Sequence, residues 1–235
     1  SMVMFIALSI GVTVSSRFIR TLKVITKTDN SVKALGVAEA LVENFLTFSN
    51  EDLEDFVVND TCGDNCVLGF SDGAFAVAKI TFLGNSSNPF NIKVPQGEVV
   101  QINLEGYPSG SFLDFCWNDK SALSFLYVFG DNSADAFGVN SAGSVFNNSF
   151  EMAEPDFEFS SCYRVNTLEE SRLLRIHSFY TNTSLVVIPA SGNILPKQGF
   201  NINVSGGFLD STKEVNVAKR YSAAPLFFDY VLYQK

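Results

Sequence analysis

From Met2 to Phe48 the chain contains no proline, and its apolar residues keep helical spacing for most of that length. A continuous helix over this run is a rod of roughly 70 Å at ~1.5 Å per residue. A rod that long cannot be packed along its whole length by a β-rich remainder of a 235-residue chain. Two apolar series are visible, one through Phe18, Leu22, Ile25, Val32 and Leu35, the other through Ala34, Ala38, Leu41, Phe45 and Phe48. Ser49-Asn50-Glu51-Asp52 ends the pattern.

The first stretch, Met2 to Val14, carries no charge and would reach only ~20 Å, short of the ~30 Å hydrocarbon core of a bilayer. Alone it does not span. A signal peptide places basic residues before its apolar run, whereas here they follow it. The stretch therefore reads as the lower part of a longer hydrophobic helix, its true start missing or the segment shortened. Its upper end must be buried in lipid or in copies of itself. The residues expected to serve helix assembly are Met4, Phe5, Leu8, Val12, Phe18, Leu22 and Ile25, with Arg17 and Arg20 beside them.

Charge divides the chain the same way. Residues 1–50 hold Arg17, Arg20, Lys23, Lys27 and Lys33 against Asp29, Glu39 and Glu43, while the whole chain has a net charge of −9, so the acidity lies in the remainder. Arg17, Arg20, Lys23 and Lys27 are three or four apart and form a stripe, either an ordinary solvated face or a contact for acidic groups of a neighbour. The overall acidity repels phosphates and argues against a nucleic-acid partner, so none is expected. One His and one Trp among 23 Phe leave few groups for catalysis, and no catalytic, cofactor or metal residue is expected.

After residue 50 the period shifts towards 2 and turn formers recur every eight to twelve positions. Strands are expected at 66–70, 74–83, 97–105, 111–117, 122–129, 143–150, 171–179, 183–189, 200–205, 213–220 and 226–233. Separators include Asp131-Asn132-Ser133 and Ser205-Gly206-Gly207. The fold class is α+β: an N-terminal helix, 1–50, then an antiparallel all-β, sandwich-like domain, 51–235, with a further division near the acidic stretch 151–170. Residues 51–235 are expected to fold alone once the helix is removed.

Cys62, Cys66, Cys116 and Cys162 form an even set in an acidic, Asn- and Ser-rich chain, the composition of an exported protein. Three connectivities are open. Cys62 with Cys66 and Cys116 with Cys162 is preferred, because Gly63-Asp64-Asn65 is flexible enough to close a tight loop. Zinc would need a second short-spaced pair, which the sequence lacks, and buried free thiols remain the alternative for Cys116 and Cys162. Asp131 to Asp135 has acidic spacing usable by calcium but reads more simply as an Asx-rich turn. His177 sits among apolar neighbours as a strand residue, and sequons at Asn59, Asn85, Asn147, Asn182 and Asn203 barely exceed chance.

Ser15-Ser16-Arg17 through Asp29-Asn30-Ser31-Val32-Lys33-Ala34-Leu35-Gly36-Val37-Ala38-Glu39-Ala40-Leu41-Val42-Glu43 resembles the end of the long helix in bacterial type IV pilin-like proteins. Leu173-Leu174-Arg175-Ile176, Thr183 to Val187, Leu195 to Phe200 and Ala223 to Tyr233 are similar to the closing region of a subset of that family. Ser1 and Phe5 stand where the family has an aromatic and a glutamate, so neither takes the family's role.

The resemblance implies a subunit processed by a dedicated peptidase and handled by inner-membrane assembly machinery. Such a subunit passes through the membrane and polymerises with copies of itself into an extracellular filament, helices inside and β domains outside. A low-copy tip adhesin, or a membrane-anchored module for an unknown surface ligand, is the alternative, and a secreted hydrolase comes last.

Overall fold

The structure is a computed structural model describing residues 2–60, 62–130, 133–156 and 158–225, with side chains from Arg17 onward apart from residue 19. Helix α1 spans Met2–Thr47, and after the Ser49 cap α2 spans Asn50–Val58. Ser49 accepts from the Asp52 backbone N–H and Asp52 reaches back to the Ser49 N–H, a reciprocal capping box that starts the second helix where the first one stops. A single 3-10 turn over Gly63–Cys66 leads into the strands.

Among the described residues fourteen strands follow: β1 Val67–Gly69, β2 Phe75–Ser86, β3 Phe90–Val94, β4 Val99–Asn103, β5 Phe112–Trp117, β6 Ala122–Phe129, β7 Ser133–Asn140, β8 Glu151–Met152, β9 Glu154–Asp156, β10 Phe159–Asn166, β11 Ser171–Phe179, β12 Thr183–Pro189, β13 Leu195–Phe208 and β14 Ser211–Arg220. They form a four-stranded sheet, β1-β2-β13-β14, and two five-stranded sheets, β3-β12-β5-β10-β9 and β4-β11-β6-β7-β8. The ladders of the five-stranded sheets are antiparallel, apart from the short parallel pairing of β7 with β8. The fold is α+β and rich in antiparallel sheet.

The chain divides into two compact units. One holds Ser1–Thr81 with Phe200–Lys219, the other Phe82–Gly199 with Arg220–Lys235, so the boundaries fall inside β2 and β13 rather than at residue 50. In the second unit one buried cluster draws side chains from both five-stranded sheets. Phe115, Trp117 and Val187 come from one sheet, Leu123, Phe125 and Ile176 from the other, and the Phe115 and Phe125 rings meet at 5.4 Å. Residues alternate in β12, where Thr183, Leu185, Val187 and Pro189 are buried and the residues between them are more open.

Four sequence expectations need correcting. Residues 143–150 form no strand: Phe146 stacks on Tyr180 at 4.3 Å, and the Phe150 ring occupies the space a Cβ would take at Gly138, so the alternating rings pin a loop. β7 begins at Ser133, inside the expected Asx-rich turn, because pairing with β6 places Phe137 opposite Phe125, rings 5.1 Å apart. β10 lies within the acidic stretch expected to divide the domain, and β3 was not foreseen. Ser205-Gly206-Gly207 is the end of β13, not a separator. The strand expected at 226–233 lies outside the described residues.

Candidate functional site

Helix α1 has two different faces within its own unit. Asn30, Ala34, Val37, Ala38, Leu41, Val42 and Phe45 are buried, at the three- and four-residue spacing of one helix side. The partner strand makes this contact through absence of side chain: a Cβ on Gly206 would fall on the carbonyl oxygen of Ala34 and crowd Ala38. Next to it, Gly207 leaves room for the Phe75 ring. Asn30 donates to Asp210 at 3.0 Å, and Lys33 lies 4.5 Å over the Phe208 ring. At the far end Lys219 donates to the carbonyls of Leu46 and Phe48, placing a cation on the open C-terminal carbonyls of the helix. Phe45, Phe48 and Phe56 form an aromatic cluster that locks α2 under that end.

The other face has no such cover. Every described side chain from Arg17 to Asp29 is exposed. Phe18 is 64% exposed and Ile25 59%, with Leu22, Val32 and Leu35 open on the same side. At about 100° per residue this stripe is centred roughly 175° around the helix from the buried line. The two apolar series of the sequence are thus two faces, one packed on the protein's own sheet and one presented outward. Arg20, Lys23 and Lys27 prolong the buried line instead of the outward stripe. Lys23 and Lys27 border, with Leu22, Thr26 and Asp210, a groove of about 480 Å³. Thr21, Thr26 and Thr28 turn their hydroxyls back onto carbonyls four residues earlier, which satisfies those polar groups within the helix.

Of the expected assembly residues, Arg17, Phe18, Arg20, Leu22 and Ile25 share this exposed segment. The side chains of Met4, Phe5, Leu8 and Val12 lie outside the described residues. Among the described residues no helix is long and apolar enough to cross a membrane. Sequence reasoning missed Gly206, Asn30, Asp210 and Lys219. The Gly206-Gly207 pair was the available signal, since glycine inside a strand marks close backbone approach as readily as a turn.

The cysteines pair as Cys62–Cys66 and Cys116–Cys162. Cys116 and Cys162 stand directly opposite in the β5–β10 ladder, with Cα atoms 4.1 Å apart. Beside that bridge is a polar cleft of about 490 Å³ lined by Asp114, Glu154, Asp156, Tyr163 and Arg164 among others. Arg164 donates twice to Asp114, at 2.7 and 2.9 Å, with its guanidinium 3.7 Å from the Phe112 ring. Among the described residues no group of three or more His, Cys, Asp or Glu could hold a metal.

Tyr163 donates to Glu151 at 2.7 Å. Partial burial, then this hydrogen bond and the Glu151 charge, push its phenol up from 10.0 to about 12. The folded state holds this proton more tightly than the unfolded chain. Its stabilising contribution is therefore complete below pH 10 and lost as pH rises through about 12. Alkaline titration of the tyrosine absorbance is expected to show a step at about 12, and Glu151→Gln to move that step down. An unchanged curve for Glu151→Gln would remove Glu151 as a cause.

The chain matches no protein-family model and no curated protein.

Proposed function

We propose that the protein is a structural subunit of an extracellular, type IV pilus-like filament, assembled through α1 with sandwich-like β-rich units displayed outside. The observation that carries this reading is the outward apolar stripe Phe18, Leu22, Ile25, Val32 and Leu35, opposite the face that α1 buries on its own sheet. An exposed apolar strip along a helix needs a partner surface, and a second copy of the same helix offers one of matching length and chemistry. The basic residues Arg17, Arg20, Lys23 and Lys27 give such an assembly a counterpart for the acidity of neighbouring units. The two disulfides fit an oxidising exterior. In this reading the chain passes through the membrane, is handled by inner-membrane assembly machinery, and uses no cofactor or catalytic residue.

The double substitution Leu22→Glu with Ile25→Glu tests it. Both side chains are exposed, so the thermal unfolding of the variant should match that of the parent, while sedimentable polymer should fall at least ~10-fold as carboxylates enter an apolar contact. Polymer of unchanged yield from the folded variant would sink the role of the stripe.

A further inference from the structure

Helix α1 carries the two signs of charge on opposite sides. Arg20, Lys23 and Lys27 continue the line that residues 30–45 bury, whereas Asp29, Glu39 and Glu43 lie on the outward side, and all these side chains are exposed. At about 100° per residue the two groups are centred roughly 165° apart around the axis. Among the described residues neither group makes an ion pair within its own chain. Lys33 is engaged differently, 3.9 Å from Asp72 and over the Phe208 ring.

The spacings match as well. Lys23 and Lys27 are one helical repeat apart, as are Glu39 and Glu43, so each pair is separated by ~6 Å along its helix. Lys23 and Lys27 border the groove of about 480 Å³ that Leu22, Thr26 and Asp210 complete, and Asp210 is already held by Asn30. We infer that this groove receives Glu39 and Glu43 of a second copy of the chain, Glu39 beside Lys23 and Glu43 beside Lys27. The inference rests on the filament reading and names the charged contact within it.

The contact cannot be mutual, because a straight helix cannot turn its outward acids and its opposite cations to the same neighbour. It is heterologous, so each copy keeps a free groove on one side and a free acidic face on the other, as an open polymer requires. The helices also have to run parallel. In an antiparallel pair with Lys27 beside Glu39, residues 30–45 of one copy would lie along residues 21–36 of the other, and the sheet packed on their inner side would be driven into that helix. The parallel pairing shifts one copy by ~24 Å, so that its covered residues begin where α1 of the other ends, at Thr47.

Charge reversal on the full chain tests it. Lys23→Glu with Lys27→Glu, and Glu39→Lys with Glu43→Lys, change only exposed side chains, so both variants should keep the parent's thermal unfolding. Each alone is expected to lose sedimentable polymer at least ~10-fold, because like charges then meet at every contact. An equimolar mixture should restore polymer to within ~2-fold of the parent, both variants present equally, because each now offers the charge that the other's contact face needs. Either folded variant polymerising alone as well as the parent would overturn the inference and leave the filament reading standing, as would a mixture that stays unassembled. A parent that stays monomeric or closes into a dimer would overturn both. Should a reversed variant not fold, Lys23→Gln with Lys27→Gln decides: polymer is expected to fall, and an unchanged yield overturns the inference.

Discussion

A chain beginning at residue 51 is expected to lose the cooperative fold of the four-stranded sheet, whereas one beginning at residue 28 keeps it. The sequence pattern placed a boundary at 50, after the helix, but α1 supplies one layer of its unit's core. Val37, Leu41, Val42 and Phe45 alone bury four sizeable side chains. At ~1.5–3 kcal/mol each this is roughly 6–12 kcal/mol of burial, comparable with the ~5–15 kcal/mol net stability of a whole domain.

Cutting at 51 also exposes Ala76, Ile202 and Val204 and orphans Lys219 from its carbonyl partners. Hydrogen exchange should therefore show β2, β13 and β14 unprotected in the shorter chain while β5, β6 and β11 remain slow. The chain from residue 28 retains Asn30 onward and drops the exposed stretch that begins at Arg17. Equal protection of β13 in both chains would mean that the helix layer is dispensable.

The second large effect concerns the bridge between β5 and β10. Replacing Cys116 and Cys162 together by Ala is expected to cost roughly 4 kcal/mol by the chain-entropy estimate, because the pair is separated by 46 positions. Cys62 and Cys66 are separated by only 4, which gives about 2 kcal/mol. In a chain of this size the first loss lowers the melting temperature by roughly 10 °C. Calorimetry of the two double variants therefore has an expected order as well as a size. A larger loss from opening the short loop would contradict the account of how each bridge stabilises the fold.

Strands whose own residues carry the signal were legible. Residues 122–129, 171–179 and 183–189 combine β-branched or aromatic residues with flanking turn formers, and each is a strand at those limits. The misses share one cause, in that a distant partner decided the local structure. Ser133 to Asn140 follows Asp131-Asn132 and contains a glycine, both turn-like features, and it is a strand because β6 offers it a ladder. Gly143 to Phe150 alternates well enough for a strand, yet its rings find better contacts at Gly138 and Tyr180. Gly206 and Gly207 look like a turn from their chemistry, and only the approach of α1 and Phe75 explains why the strand needs them.

The assembly surface was legible in the same partial way. Two apolar series at helical spacing were visible, but spacing cannot say which one a chain will cover with its own sheet. Small residues were the hint, since Ala34 and Ala38 permit the closest backbone approach and lie on the face that Gly206 receives. The bulkier Phe18, Leu22 and Ile25 are left for a partner.

Electron microscopy of the purified full chain, freed of detergent, tests the central claim most directly. The account predicts regular helical filaments whose subunits connect through an inner layer of α1 helices, and their absence from preparations of the Leu22→Glu, Ile25→Glu variant. Monodisperse single molecules of the folded full chain at ~100 μM, well above the micromolar range in which an interface worth about 8 kcal/mol would be saturated, would contradict it.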